Sequence, residues 1–146
     1  MAETQPVAPR PAAAIVLMRA GQAGQLEVFM VRRHVRSDFV PDVYVYPGGS
    51  VKPDDREAEL TPGLCTPIGV GPTTLGSGFR AAAIRECFEE AGVLLARRGD
   101  APLASDDLAS LVAHRQALQQ HTLTLKAVAE QARLSLATDT LIHWAH

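Results

Sequence analysis

The sequence predicts a mixed α/β (α+β) domain, and three observations predict it. Short apolar runs of strand length lie at 12–18, 26–31 and 43–49, bounded by glycine or proline. The segment Gly78-Phe79-Arg80-Ala81-Ala82-Ala83-Ile84 favours helix, because alanine is the best helix former, and the charged stretch after it stops at Gly92, a fitting C-terminal glycine. Two further runs with helical periodicity follow, which gives about four strands and three helices.

The 146 residues suit one domain with a sizeable core. A formal net charge of −2 carries no sign of nucleic-acid or membrane-surface binding, so neither partner is expected. Cys65 and Cys87 do not make a disulfide framework, and Cys87 reads as a small buried hydrophobe. This favours a reducing compartment, and the expected location is cytoplasmic. No apolar run approaches the ~20 residues of a membrane span. The N-terminus is rich in proline and alanine but lacks the apolar core of a secretory signal.

In chain order, residues 1–11 hold three prolines without periodicity and read as a flexible tail. The domain is expected over 12–146. Ala12 to Met18 reads as a buried strand, Gly21 to Gln25 as a turn, and Leu26 to Val31 as a second strand paired with the first. Arg32, Arg33 and Arg36 follow at the strand end. They are candidate phosphate contacts, since arginine gives charge-assisted, often bidentate bonds to phosphate. Val43 to Gly49 reads as a third strand broken by Pro47-Gly48-Gly49, where glycines would let backbone carbonyls approach a metal closely. Residues 54–78, rich in Pro and Gly, read as a surface loop. Ala96 to Asp100 reads as a helix exit or turn. Ser105-Asp106 would cap a helix from about Asp107 to Gln120, with Leu108, Leu111, Val112 and Leu118 as its apolar side. A helix from about Leu125 to Leu134 comes next, and Thr138 to Trp144 looks like the start of a strand. His114, His121, His143 and His146 show no credible metal-ligand spacing.

The chemistry lies in Arg85-Glu86-Cys87-Phe88-Glu89-Glu90-Ala91-Gly92-Val93. At about 100° per residue, Ala81, Ile84, Phe88 and Ala91 form one apolar stripe, and Glu86, Glu89 and Glu90 fall on roughly the opposite side. Three crowded like charges weaken a helix by a few tenths of a kcal/mol per pair, about. Arg85 can reach Glu89 at i+4, but it is one charge against three. A hard divalent cation, Mg²⁺ or Mn²⁺, would complete the balance through oxygen ligands. On composition alone such a run is a solvated acidic face. The order of the residues decides otherwise. Arg-Glu-apolar-any-Glu-Glu-any-Gly-apolar resembles the second half of the Nudix box.

Tyr46-Pro47-Gly48-Gly49 matches the segment that enters that box, with Gly49 as its opening glycine. In the family five residues, a glutamate and seven residues then lead to the Arg-Glu pair. Here Arg85 lies 36 positions after Gly49 against 14 in the uninterrupted pattern, so about 22 residues are inserted. In strict register from Arg85, Gly71 falls on the glycine by chance and Ser77 falls on the glutamate. Asp54, Asp55 and Glu57 are positional candidates for the upstream carboxylate. The interrupted box resembles the branch that includes the peroxisomal coenzyme A and acyl-coenzyme A diphosphatases.

The resemblance implies an α/β/α sandwich around a mixed sheet. It also implies metal-dependent hydrolysis of a nucleoside diphosphate linked to another moiety, a small-molecule substrate. Glu86, Glu89, Glu90 and the Gly49 carbonyl are the implied metal ligands; Glu89 and Glu86 are the implied catalytic residues, with Arg85 orienting a glutamate. The base would be a box glutamate or an acidic residue of a later loop. The chain stops where such a fold supplies further strands. The expectations are therefore a truncated domain, or a sheet completed by a second chain in a homodimer. Two alternatives stay open, a catalytically inactive nucleotide-binding module and a fragment without activity of its own.

Overall fold

A computed structural model describes residues 9–33, 42–67 and 76–144. Most of the N-terminal tail, Arg36, Gly71 and Ala145-His146 lie outside the described residues.

The strands are short and pair antiparallel. β1 (Ala12–Ala14) pairs with β6 (Gly48–Ser50), β2 (Met18–Ala20) with β3 (Leu26–Val28), and β4 (Val31–Arg32) with β5 (Tyr44–Val45). Single backbone bonds continue these ladders past the bends: Ile15 N–H donates to Pro47 O, Phe29 N–H to Leu17 O and Arg33 N–H to Val43 O. The expected strands and the hairpin around Gly21–Gln25 are therefore present, cut into pieces. Large apolar side chains of this region, among them Met18, Leu26 and Tyr44, are exposed.

A three-stranded sheet is built from β7 (Ala96–Arg98), flanked by β8 (Ala101–Pro102) and β9 (Ser135–Leu136). Ala96–Asp100 is thus a strand and its turn rather than a helix exit. A mixed sheet was expected, yet every regular pairing among the described residues is antiparallel, and parallel pairing is limited to the isolated bridge Cys65–Leu136.

Five α-helices are described. α1 (Pro53–Leu60) corrects the reading of 54–78 as a loop. Its octet has proline at the first helical position, Asp54 and Asp55 in the first turn, and helix formers behind them, which outweigh the glycines further on. α2 (Phe79–Glu86) follows and widens into a π-helical turn at Cys87–Ala91. Gly92 ends it with φ +72°, the left-handed C-terminal conformation that glycine adopts at little cost.

The single helix expected over 107–120 is two, α3 (Ser105–Ser110) and α4 (Val112–Gln119), joined at Leu111. The capping residue is Ala104, not Ser105-Asp106: the Asp107 carboxylate accepts the Ala104 N–H at 3.0 Å. Val112 is exposed, whereas Leu111 and Leu118 are buried. α5 (Leu125–Ala132) starts at Thr124, whose hydroxyl accepts the Ala127 N–H. Thr138–Thr140 is a 3₁₀ turn, so the last strand lies earlier, at Ser135–Leu136, than the expected Thr138–Trp144.

α2 is the centre of the molecule. Arg80 to Phe88 are all buried, because the helix is enclosed on both sides. Ala81, Ile84 and Phe88 pack with Ala58 of α1, Leu118 of α4, Leu125 and Val128 of α5, and Leu136 of β9. On the other side Ala83 and Cys87 pack on Ile15. Burial pushes the Cys87 thiol up to about 11, so it behaves as an apolar group at neutral pH. No helix is long and apolar enough to cross a membrane among the described residues.

The β1–β6 ladder depends on Gly48. A Cβ there would lie 2.7 Å from Ala13 O and 2.8 Å from Ala14 Cα, both backbone atoms. Gly48→Ala is expected to lower stability by about 1–3 kcal/mol, as overpacking does. Urea unfolding followed by circular dichroism measures it, and an unchanged midpoint would show that the ladder yields freely.

Candidate metal and phosphate site

The site is assembled where α1, β6 and the end of α2 meet. Arg85 lies at its base, and its five guanidinium N–H groups match five hydrogen bonds. Nε donates to Asp55 Oδ1 at 2.8 Å and Nη2 to Asp55 Oδ2 at 3.1 Å. Nη1 donates to Glu86 Oε1 at 2.6 Å and to Glu89 Oε1 at 3.3 Å. Nη2 also donates to the Ser50 carbonyl at 2.9 Å. Arg85 and Asp55 are only 3% and 0% exposed. Burial alone would lower the guanidinium pKa; the bonds and charges of Asp55 and Glu86 offset it, and the net shift is upward.

Asp55 is the sixth residue after Gly49, with five residues between, which is the box spacing for the upstream carboxylate. Of the three candidates it is the one that meets Arg85. Asp54 is exposed, and Glu57 is exposed and paired with Lys126. Asp55 also accepts the Lys52 N–H at 2.8 Å, so one side chain starts α1 and anchors α2. The insertion therefore follows the carboxylate without displacing it. A second carboxylate of α1, Glu59, accepts the Gly78 N–H at 2.7 Å at the start of α2.

Above this base stand the glutamates. A Cβ on Gly49 would lie 2.3 Å from Glu86 Oε1 and 2.8 Å from its Cδ, so the missing side chain is what lets the carboxylate lie against the backbone. Glu90 accepts the Gly48 N–H at 3.2 Å. Burial is the first cause of its raised pKa; the Gly48 bond and the charge of Arg33 act against the rise, and the charges of Glu86 and Glu89 add to it. Two acidic side chains from one helix end, Glu86 and Glu90, thus lie against two adjacent glycines of β6, and Glu89 joins them through Arg85.

The donor set is all oxygen, which suits a hard divalent ion. Among the described residues, no group of three or more His, Cys, Asp or Glu side chains converges as a ready-made metal cage. Arg85 engages Glu86 and Glu89, and Glu90 turns to the Gly48 amide. Holding a cation would require these side chains to turn from their present partners. A cavity of about 190 Å³ adjoins them, lined by Lys52, Asp54, Arg85, Glu89, His121 and leucines of α4 and α5.

No protein-family model matches the chain. Over 80% of its length it is 31% identical to the putative nudix hydrolase 7 of Caenorhabditis elegans. Over 62% of its length it is 35% identical to the acyl-coenzyme A diphosphatase NUDT19 of Gallus gallus. The chain spans about a third of each relative, 32% and 33%. The crystal structure of a NUDIX hydrolase from Alicyclobacillus acidocaldarius matches with a TM-score of 0.58 at 29% identity, covering 88% of this chain and 57% of that one. By sequence and by fold, the chain is similar to Nudix hydrolases.

The three arginines named from the sequence do not act alike. Arg32 is exposed and paired with Asp42 at 2.6 Å. Arg33 lies close enough for its charge to act on Glu90. Arg36 is outside the described residues. His121 borders the cavity, with its Nδ1 3.5 Å from Lys52 Nζ. Sequence reasoning missed Arg115 and Gln119 of α4, which bind carbonyls of the π-helical turn. The available signal was the need for partners at a helix C-terminus, but nothing in the sequence says which cation supplies them.

Asp55→Asn leaves Arg85 short of a buried counter-charge. The expected loss is about 3 kcal/mol of stability, the scale of a broken buried pair. Denaturant unfolding checks this, and a loss below about 0.5 kcal/mol, the surface-substitution scale, would contradict it.

Proposed function

We propose that this chain is the metal-binding part of a divalent-metal-dependent hydrolase. Its reaction is cleavage of the diphosphate in a nucleoside diphosphate linked to another moiety, with coenzyme A or acyl-coenzyme A as the substrate class. The observation that carries the reading is the seating of Glu86 against Gly49 and of Glu90 on the Gly48 amide, with Glu89 held beside them by Arg85 and Asp55 beneath. The substrate class rests on the similarity to the acyl-coenzyme A diphosphatase.

Glu86, Glu89 and Glu90, with the Gly49 carbonyl, would hold Mg²⁺ or Mn²⁺. Such an ion polarises a phosphoryl oxygen and lowers the pKa of a bound water. The chain's own residues supply the rest. Glu89 lines the cavity, which supports it as the group that takes the proton of an attacking water. Arg85 keeps Glu86 and Glu89 oriented and has no N–H left for substrate. Arg33 is the best supported phosphate contact of the three arginines, because its charge acts on Glu90.

A nucleotide-binding module without turnover is the competing reading. One observation favours it: Arg85 already compensates Glu86 and Glu89, so part of the charge crowding is relieved from within.

Mass spectrometry separates the two. The chain and its Glu89→Gln variant are incubated with Mg²⁺ or Mn²⁺ and a panel of coenzyme A, acyl-coenzyme A, ADP-ribose and NADH. The hydrolase reading predicts products cut between the two phosphates, abolished by chelator and slowed about 100-fold or more in the variant. Metal-dependent turnover equal in both proteins would sink the assignment of Glu89. Nucleotide bound but intact would favour the module.

A further inference from the structure

The π-helical turn that carries Glu89 and Glu90 is held from outside the box. Arg115 of α4 donates through Nε to Phe88 O at 2.8 Å and Glu89 O at 3.1 Å. Its Nη2 donates to Glu89 O at 2.9 Å and Glu90 O at 3.3 Å. Gln119, one helical turn further along α4, donates through Nε2 to Glu89 O at 2.7 Å. Two side chains of one helix face thus bind three successive carbonyls, and two of these belong to the glutamates themselves.

The physical reason is the helix end. The last carbonyls of a helix have no intrahelical donor, and a cation is favourable beside them. A π-helical turn shifts the register of those carbonyls and needs outside support. A planar guanidinium can bridge several acceptors at once where an ammonium acts as a point charge. Gly92 leaves the room: a Cβ there would lie 3.3 Å from Arg115 Nη1. Buried Leu111 and Leu118, on either side of Arg115 in the chain, fix α4 against the core.

The geometry points to Arg115, with Gln119, as a positioning residue for the metal site: by fixing the carbonyls of residues 88–90 it sets the direction of the Glu89 and Glu90 carboxylates. This rests on the reading that Glu86, Glu89 and Glu90 hold a divalent cation. The hydrogen bonds of Arg115 go to backbone carbonyls, so it acts through the backbone of the turn.

The test is Mn²⁺ titration of the 146-residue chain, with free aquo-Mn²⁺ followed by electron paramagnetic resonance. Wild type, Arg115→Ala, Gln119→Ala and Glu89→Gln are compared well below their unfolding midpoints. Loss of an outer partner of a metal site costs about 10-fold or more in affinity, and Arg115→Ala is expected to show that loss with an altered bound-Mn²⁺ spectrum. Gln119→Ala removes one bond and carries the same test with a smaller loss, about threefold, should Arg115→Ala fail to fold. A merely structural Arg115 lowers the unfolding midpoint but leaves the affinity and spectrum of the folded protein unchanged, and that result overturns the inference alone. If wild type shows no saturable Mn²⁺ binding, or Glu89→Gln binds as tightly, the metal reading itself falls and takes the inference with it.

Discussion

The rest of the structure depends on one buried ion pair, Arg85 with Asp55. Burying two charges costs several kcal/mol each, about, and mutual attraction repays this only when every remaining donor is satisfied. Here all five guanidinium N–H groups have partners, and they come from four places: Ser50 on β6, Asp55 on α1, Glu86 on α2 and Glu89 on the turn beyond it. No one of these elements can shift without leaving a buried charge or donor unpaired. The pair therefore acts as a locating pin. It holds the start of α1 in place, and it orients two of the three site glutamates, one of which, Glu86, lies against Gly49 of β6.

Small residues make that convergence physically possible. Ala81, Ala82 and Ala83 let α2 run between α1 and the β1–β6 pair while remaining buried. Gly48 lets β6 lie against β1, and Gly49 leaves the space in which the Glu86 carboxylate sits. The acidic end of α2 is then crowded from above by its own charges and supported from behind by Arg115 and Gln119. The raised proton affinity of Glu90 comes first from burial, and the charges of Glu86 and Glu89 add to it. The arginine engaged by Glu86 and Glu89 is one answer to the crowding, and a divalent cation would be another.

Much of this was legible in the sequence because it is local. The C-terminal Gly92, the apolar stripe Ala81–Ile84–Phe88 and the reach of Arg85 to Glu89 follow from helical spacing alone. Other features were not legible, each for a physical reason. Reading 54–78 by its glycines and prolines averaged over the octet Pro53–Leu60, whose own signals are those of a helix start. Asp55 stood at the right distance from Gly49, but the choice among three neighbouring acids needed the long-range pairing with Arg85. Ser105 has the chemistry of a capping residue, yet the return bond from Asp107 makes Ala104 the cap. The burial of Glu86 beneath Gly49 is a tertiary fact, since a helical wheel puts that residue on the polar side. Arg115 was invisible because its partners are carbonyls, and carbonyls carry no sequence signature.

The most direct measurement is anomalous diffraction at the manganese edge from crystals of the chain soaked in Mn²⁺. A peak bounded by the carboxylates of Glu86, Glu89 and Glu90 and the carbonyl of Gly49 is expected, with Arg85 still bound to Asp55. A fully formed Arg85–Glu86–Glu89 cluster with no peak beside it, or a peak held by other residues, would contradict the central claim.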